Sequence, residues 1–148
     1  LRMERRLSFK WLRSRKREFK TEIFSRETPY KMTGKGVSAT QRGKQYEDLA
    51  LDFLLDQGLQ LVTRNYRCRW GELDLLMQEH NTLIIVEVRY RKNARYGSAV
   101  ESITANKRAR IVAATKHYIM TYKINQSIRF DVLAITGDIP PEWIKSAF

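Results

Sequence analysis

The sequence predicts an α/β protein with one central sheet covered by helices, in the order α, β, β, β, α, β. Two amphipathic stretches have helical spacing, and alternating apolar segments cluster between and after them. A hydrophobic fraction of 43% in 148 residues, with three Trp, seven Tyr and six Phe, can fill one core of ordinary domain size.

The first helix is indicated by Ser38 or Thr40 as cap candidates and by Tyr46, Leu49, Ala50, Phe53 and Leu54 on one stripe, stopped by Gly58. Leu59 to Arg67 alternates around Val62, Thr63 and Tyr66 and reads as a strand. Gly71 to Met77 and Leu83 to Tyr90 read as two more, joined through a polar turn at Gln78 to Thr82, so the second and third strands form a hairpin. A loop with Asn93 and Gly97 leads to a second helix between Thr104 and Tyr122. Its stripe is Ile111, Ala114, Thr115, Tyr118, Ile119 and Tyr122, with Lys107, Arg108, Arg110 and Lys116 around it. Ser127 to Thr136 is the fourth strand, Gly137 to Pro141 a turn, and Trp143 to Phe148 a short apolar closing piece. No repeat or low-complexity tract interrupts this order.

Residues 1–37 are expected to form a basic, poorly ordered extension, and residues 38–148 the folded domain. The first segment holds 12 basic and 4 acidic side chains and no sustained apolar period; a chain start at Met32 is a second reading of it. The formal net charge of +12 points to polyanionic partners. No apolar run reaches the ~18 residues of a membrane span, and the leading residues lack the apolar centre of a secretory signal, so a cytoplasmic chain is expected, with no membrane partner. The single cysteine, Cys68, argues against disulfides and thiolate metal sites. His80 and His117 have no metal-binding spacing, and the glycines at 34 to 36 do not make a phosphate loop.

Chemistry is concentrated in the hairpin. In GELDLLM, alternation sends Glu72 and Asp74 one way and Leu73, Leu75 and Met77 the other; in LIIVEVRYR, Ile85, Glu87, Arg89 and Arg91 share a face. A hairpin closing with a two-residue loop at His80 and Asn81, or a four-residue loop at Glu79 to Thr82, sets Asp74 opposite Glu87 and Glu72 opposite Arg89. Directly opposed residues have Cβ atoms ~4.5 to 5.5 Å apart, so two carboxylates meet at bridging distance. Their repulsion is relieved by a proton or by a hard divalent ion with oxygen ligands. Magnesium, using one or two carboxylates with waters and phosphate oxygens, suits a basic protein acting on nucleic acid. Glu47, beside the apolar stripe of the first helix, is a candidate third acid. Ordinary ion pairs with Arg69, Arg89 or Arg91 on a solvated face account for the same pattern.

Other cationic side chains give weaker nucleic-acid contacts. Lys107 starts the stripe of the second helix, and Arg91 and Arg67 lie on the third and first strands. Trp70 is suited to stacking on a base, although burial is the commoner fate of such a residue.

The segments GKQYEDLALDFLLDQGLQLVTRNYRCRWGELDLLM, IIVEVRYRKNARYGSAVESITANKR and RFDVLAITG, closing with EWIKSAF, resemble the YraN family of predicted endonucleases over roughly residues 38–148. The resemblance implies a restriction endonuclease-like fold with a central mixed sheet and the PD-(D/E)xK signature shared with Holliday junction resolvases. By position, Glu47 matches the helical acid of that signature, Asp74 its aspartate, and Glu87 the acid of the Glu-x-Lys element. Arg89 takes the place of the lysine. The activity implied by this resemblance is that of a metal-dependent endonuclease using magnesium or manganese and acting on structured or branched DNA, with Glu47, Asp74, Glu87 and Arg89 catalytic and the three acids around the metal. A homodimer is a further implication. The alternative is a non-catalytic nucleic-acid-binding protein on the same fold, kept open by Arg89, because a guanidinium cannot act as a general base.

Overall fold

The computed structural model of the protein describes residues 38–91, 99–137 and 139–148. The expected extension at 1–37 and the loop with Asn93 and Gly97 lie outside them. Helix α1 spans Ala39–Asp56. Ser38 and Gln41 close a reciprocal capping box: Ser38 Oγ accepts from the Gln41 amide at 3.2 Å, and Gln41 Oε1 from the Ser38 amide at 2.9 Å. Gly58, at φ 93°, turns the chain out of the helix in a conformation that favours glycine.

Strands β1 (Gln60–Cys68), β2 (Gly71–Glu79) and β3 (Thr82–Arg91) form an antiparallel meander. Helix α2 (Ala105–Tyr122), capped by the Thr104 hydroxyl on the Lys107 amide, lies between β3 and β4 (Ser127–Thr136) in the chain. β3 and β4 are parallel, and the return they require passes through this helix. The result is a mixed sheet in the order β1-β2-β3-β4-β5, flanked by helices, as in a restriction endonuclease-like α/β fold.

The expected turn at Gly137 to Pro141 is instead largely taken up by a fifth strand, β5 (Ile139–Ile144), antiparallel to β4 at the sheet edge. Pro140 and Pro141 disguised it. Both fall where the β4–β5 register is irregular, between the Ala134↔Glu142 and Thr136↔Ile139 pairs, so neither has to donate to a regular ladder.

Alternation divides the core between the two faces. Leu75, Met77, Ile84, Val86, Leu133 and Ile135 pack with Ala50 and Leu54 of α1. Leu76, Leu83 and Ile85 pack on the other side with Ile111, Ala114 and Tyr118 of α2. Burying one such leucine contributes about 1.5–3 kcal/mol, so each helix is held mainly by its apolar stripe. Leu73 breaks the pattern. It joins the α2 cluster rather than lying beside Leu75, because the period is interrupted at Asp74. On the neighbouring strand Asn65 takes φ 54°, and its flanks follow suit: Arg64 reaches α1 while Tyr66 packs toward α2. Among the described residues no helix is long and apolar enough to cross a membrane.

Candidate metal-binding and nucleic-acid site

The β2–β3 ladder has the register expected from the hairpin, running from Glu79↔Thr82 to Leu75↔Val86. It stops one step before Asp74 and Glu87, where β2 loses its alternation while β3 stays regularly paired with β4. There the Asp74 carboxylate replaces a ladder partner: Oδ2 accepts from the Val88 amide at 2.9 Å. The side chain is thus anchored to the opposite strand by a backbone donor.

Glu87 is buried, at 4% exposure, and is met by two cations. Lys107 Nζ lies 3.2 Å and Arg89 Nη1 3.6 Å from the same oxygen, Oε1. Lys107 reaches it from the first turn of α2, which therefore delivers an ammonium to the acid pair. Arg89 is steered by the segment before α2: its Nε donates to Ser102 Oγ at 3.4 Å and its Nη2 to the Ser102 carbonyl at 3.3 Å. Ser102 had no signal in the sequence, since its role depends on where an irregular segment passes the end of β3.

Asp74 carries the electrostatic strain of the site. Burial, and then repulsion from Glu87, push its carboxyl up to about 7, against the opposing effects of the Val88 amide and Lys107. Glu47 is also raised, chiefly by burial and to a smaller extent by Asp74, while a hydrogen bond from Asn65 opposes the shift. Glu47 is drawn toward Arg64, whose Nη2 lies 3.8 Å from it and 2.7 Å from Asp48. Among the described residues no three His, Cys, Asp or Glu side chains converge as a metal-binding group. The close carboxylate pair is Asp74 with Glu87, and Glu47 stands behind it, near enough for its charge to act on Asp74.

The remaining sequence candidates are dispersed. Glu72 does not face Arg89, because the β2–β3 ladder has already ended; it pairs with Arg67 across β1–β2 at 3.0 Å. That contact occupies Arg67. Arg91 lies at the end of β3, opposite Thr136 of β4, with its carbonyl accepting from the Gly137 amide at 3.0 Å. Trp70 is not buried but 47% exposed.

Two carboxylates with buried, dehydrated character fit a hard divalent ion. Magnesium asks for one or two such ligands and completes its shell with waters and phosphate oxygens. The model described as Uncharacterised protein family UPF0102, the YraN family, matches residues 46–135, a span containing Glu47, Asp74, Glu87, Arg89 and Lys107. The chain belongs to this family. A UPF0102 protein of Aeromonas hydrophila is 49% identical over 114 residues, covering 75% of this chain and 87% of the relative. UPF0102 proteins of Legionella pneumophila and Nitrosococcus oceani are 46% and 41% identical over 111 and 119 residues, covering 73% and 77% of this chain and 94% and 96% of their own lengths. Membership of UPF0102 thus extends over the α1-to-β4 framework that positions the acid pair.

Proposed function

We propose that the protein is a metal-dependent endonuclease of the PD-(D/E)xK type, hydrolysing phosphodiester bonds in structured or branched DNA. The observation that carries this reading is the meeting of Asp74 and Glu87 at the open end of the β2–β3 ladder, with Lys107 and Arg89 beside them. Two acids and two cations at one spot suit a phosphodiester, which needs a metal on one side and positive charge around its oxygens.

Asp74 and Glu87 would hold the magnesium or manganese, with Glu47 as an outer acid. Bound there, the ion would neutralise the acid pair, favour ionisation of the attacking water and shield the leaving oxygen. The Val88 amide fixes Asp74 Oδ2, so this ligand is oriented before anything binds. Arg89 stays protonated and cannot take the proton from water; its fork suits a non-bridging phosphate oxygen. Lys107 supplies a second cation from α2. Either can exchange its contact with Glu87 for one with the substrate once a metal carries the charge of Glu87.

A non-catalytic nucleic-acid-binding protein is the second reading. It is favoured by one observation: Lys107 and Arg89 both pair with Glu87, and a guanidinium stands where a general base would need a lysine. Labelled branched and linear DNA, incubated with and without magnesium or manganese beside Glu87→Ala, separates the two. Metal-dependent cleavage lost in the variant is expected. Binding by both proteins with no cleavage by either would leave only the second reading.

A further inference from the structure

The stripe of α2 that Lys107 starts packs on the sheet, and a second row runs along its flank. Arg110, Ala113, His117 and Met120 succeed one another at steps of three or four on that flank. Lys107 reaches Glu87; one turn further on, Arg110 Nε donates to the Trp70 carbonyl at 3.4 Å. Gly71, at φ 154°, follows Trp70 in the β1–β2 turn and lies beside the Arg110 side chain. Beyond this contact the turn and the helix border an open hollow of about 540 Å³, lined by Arg69, Trp70, Lys116, His117 and Met120 among others.

The hollow combines exposed apolar surface with positive charge. Trp70 is 47% and Met120 80% exposed. The Arg69 guanidinium lies 4.7 Å from the centre of the Trp70 ring, Lys116 stands on the opposite wall, and among the described residues no acid lines the space. His117 is held by the Tyr66 hydroxyl at Nδ1, 2.7 Å away, which fixes that wall. A purely apolar partner would gain nothing from the two cations. A flexible polyanion carrying flat rings uses both features.

We propose that this hollow is a subsite for unpaired nucleobases of the DNA strand that enters the acid pair. Trp70 stacks on a base, and Arg69 and Lys116 take the flanking phosphates. Lys116 lies nine residues along α2 from Lys107, a rise of about 13 Å at 1.5 Å per residue and half a turn around the axis, so a few nucleotides of a strand passing over the flank lined by Arg110 and His117 connect the two. The inference rests on the endonuclease reading for the strand's destination and deepens it: the preferred substrate has single-stranded character beside the cleaved phosphate.

The test uses the full chain in a chelator, with a fluorescein-labelled single strand of about 12 nucleotides and a duplex of the same sequence, read by anisotropy and tryptophan emission. Trp70→Ala is expected to weaken single-strand binding about 5- to 150-fold, the range of one stacked base, and duplex binding less than about twofold. Trp70→Phe should retain most of the affinity, and Arg69→Ala should lose part of it. The single strand should quench the tryptophan emission of the unaltered protein, and this quenching should disappear in Trp70→Phe. No quenching, unchanged single-strand affinity, or equal losses on both DNAs overturns the subsite. Cleavage with magnesium is assayed in parallel. Selective loss of single-strand binding without any cleavage would refute the endonuclease reading and keep the subsite; cleavage with unchanged single-strand binding by Trp70→Ala would do the reverse.

Discussion

Replacing Asp74 by Asn should make the metal-free protein more stable at pH 8. Asn has nearly the same shape, its carbonyl oxygen can still accept the Val88 amide, and it cannot ionise. The carboxyl of Asp74 is pushed up to about 7 by burial and by Glu87, against about 3.9 in an unfolded chain. A folded pKa above the unfolded one means that the native state holds the extra proton between roughly pH 4 and 7. The stabilisation from the protonated form is therefore complete below about pH 4 and is lost as pH rises through about 7. At 1.36 kcal/mol per unit, ionisation at pH 8 costs the fold on the order of 2–4 kcal/mol, with the lower figure allowing for relaxation around a partly exposed side chain. Urea unfolding in chelator at pH 4.5 and 8 measures it. Asp74→Asn should gain most of that amount at pH 8 and much less at pH 4.5. A variant equally stable or weaker at pH 8, or a gain independent of pH, would refute the claim that two buried carboxylates repel there.

Two further substitutions test the frame around the site. Asp131→Ala should lower stability by about 3–5 kcal/mol in the same urea experiment, because this fully buried acid accepts from Arg129, Trp143 Nε1 and the Ser146 amide; a loss under about 1 kcal/mol would contradict that role. Asn65→Val should be about 1–2 kcal/mol less stable than Asn65→Gly, since a β-branched residue resists φ 54° while both variants lose the hydrogen bond to Glu47; thermal melts of the pair check it, and equal effects would exclude backbone conformation as the cause.

Much of this organisation was legible in local pattern. The stripe from Tyr46 to Leu54 and the cap at Ser38 specify α1, because helical period and terminal hydrogen bonding are short-range properties. The hairpin register was legible for the same reason: with a two-residue turn at His80 and Asn81, slipping one strand by a residue would send Leu83 and Ile85 to the wrong face. That register is enough to bring Asp74 and Glu87 into the same neighbourhood.

Only the tertiary structure decided where the ladder ends, which cations reach Glu87, and what remains exposed. The alternation reverses where Asn65, across from Asp74, takes a positive φ, and the β2–β3 ladder ends at Leu75, so alternation within β2 misassigned Leu73 and wrongly paired Glu72 with Arg89. Lys107 is distant from Glu87 in sequence, and its ammonium reaches that carboxylate only because the first turn of α2 ends up beside it in the fold. Trp70 stays open because Arg110 occupies its carbonyl side while its ring meets only Arg69 among the described ring contacts. Periodicity along a chain chooses the face a side chain takes; contacts between elements far apart in the chain depend on packing geometry, and only the assembled fold supplies it.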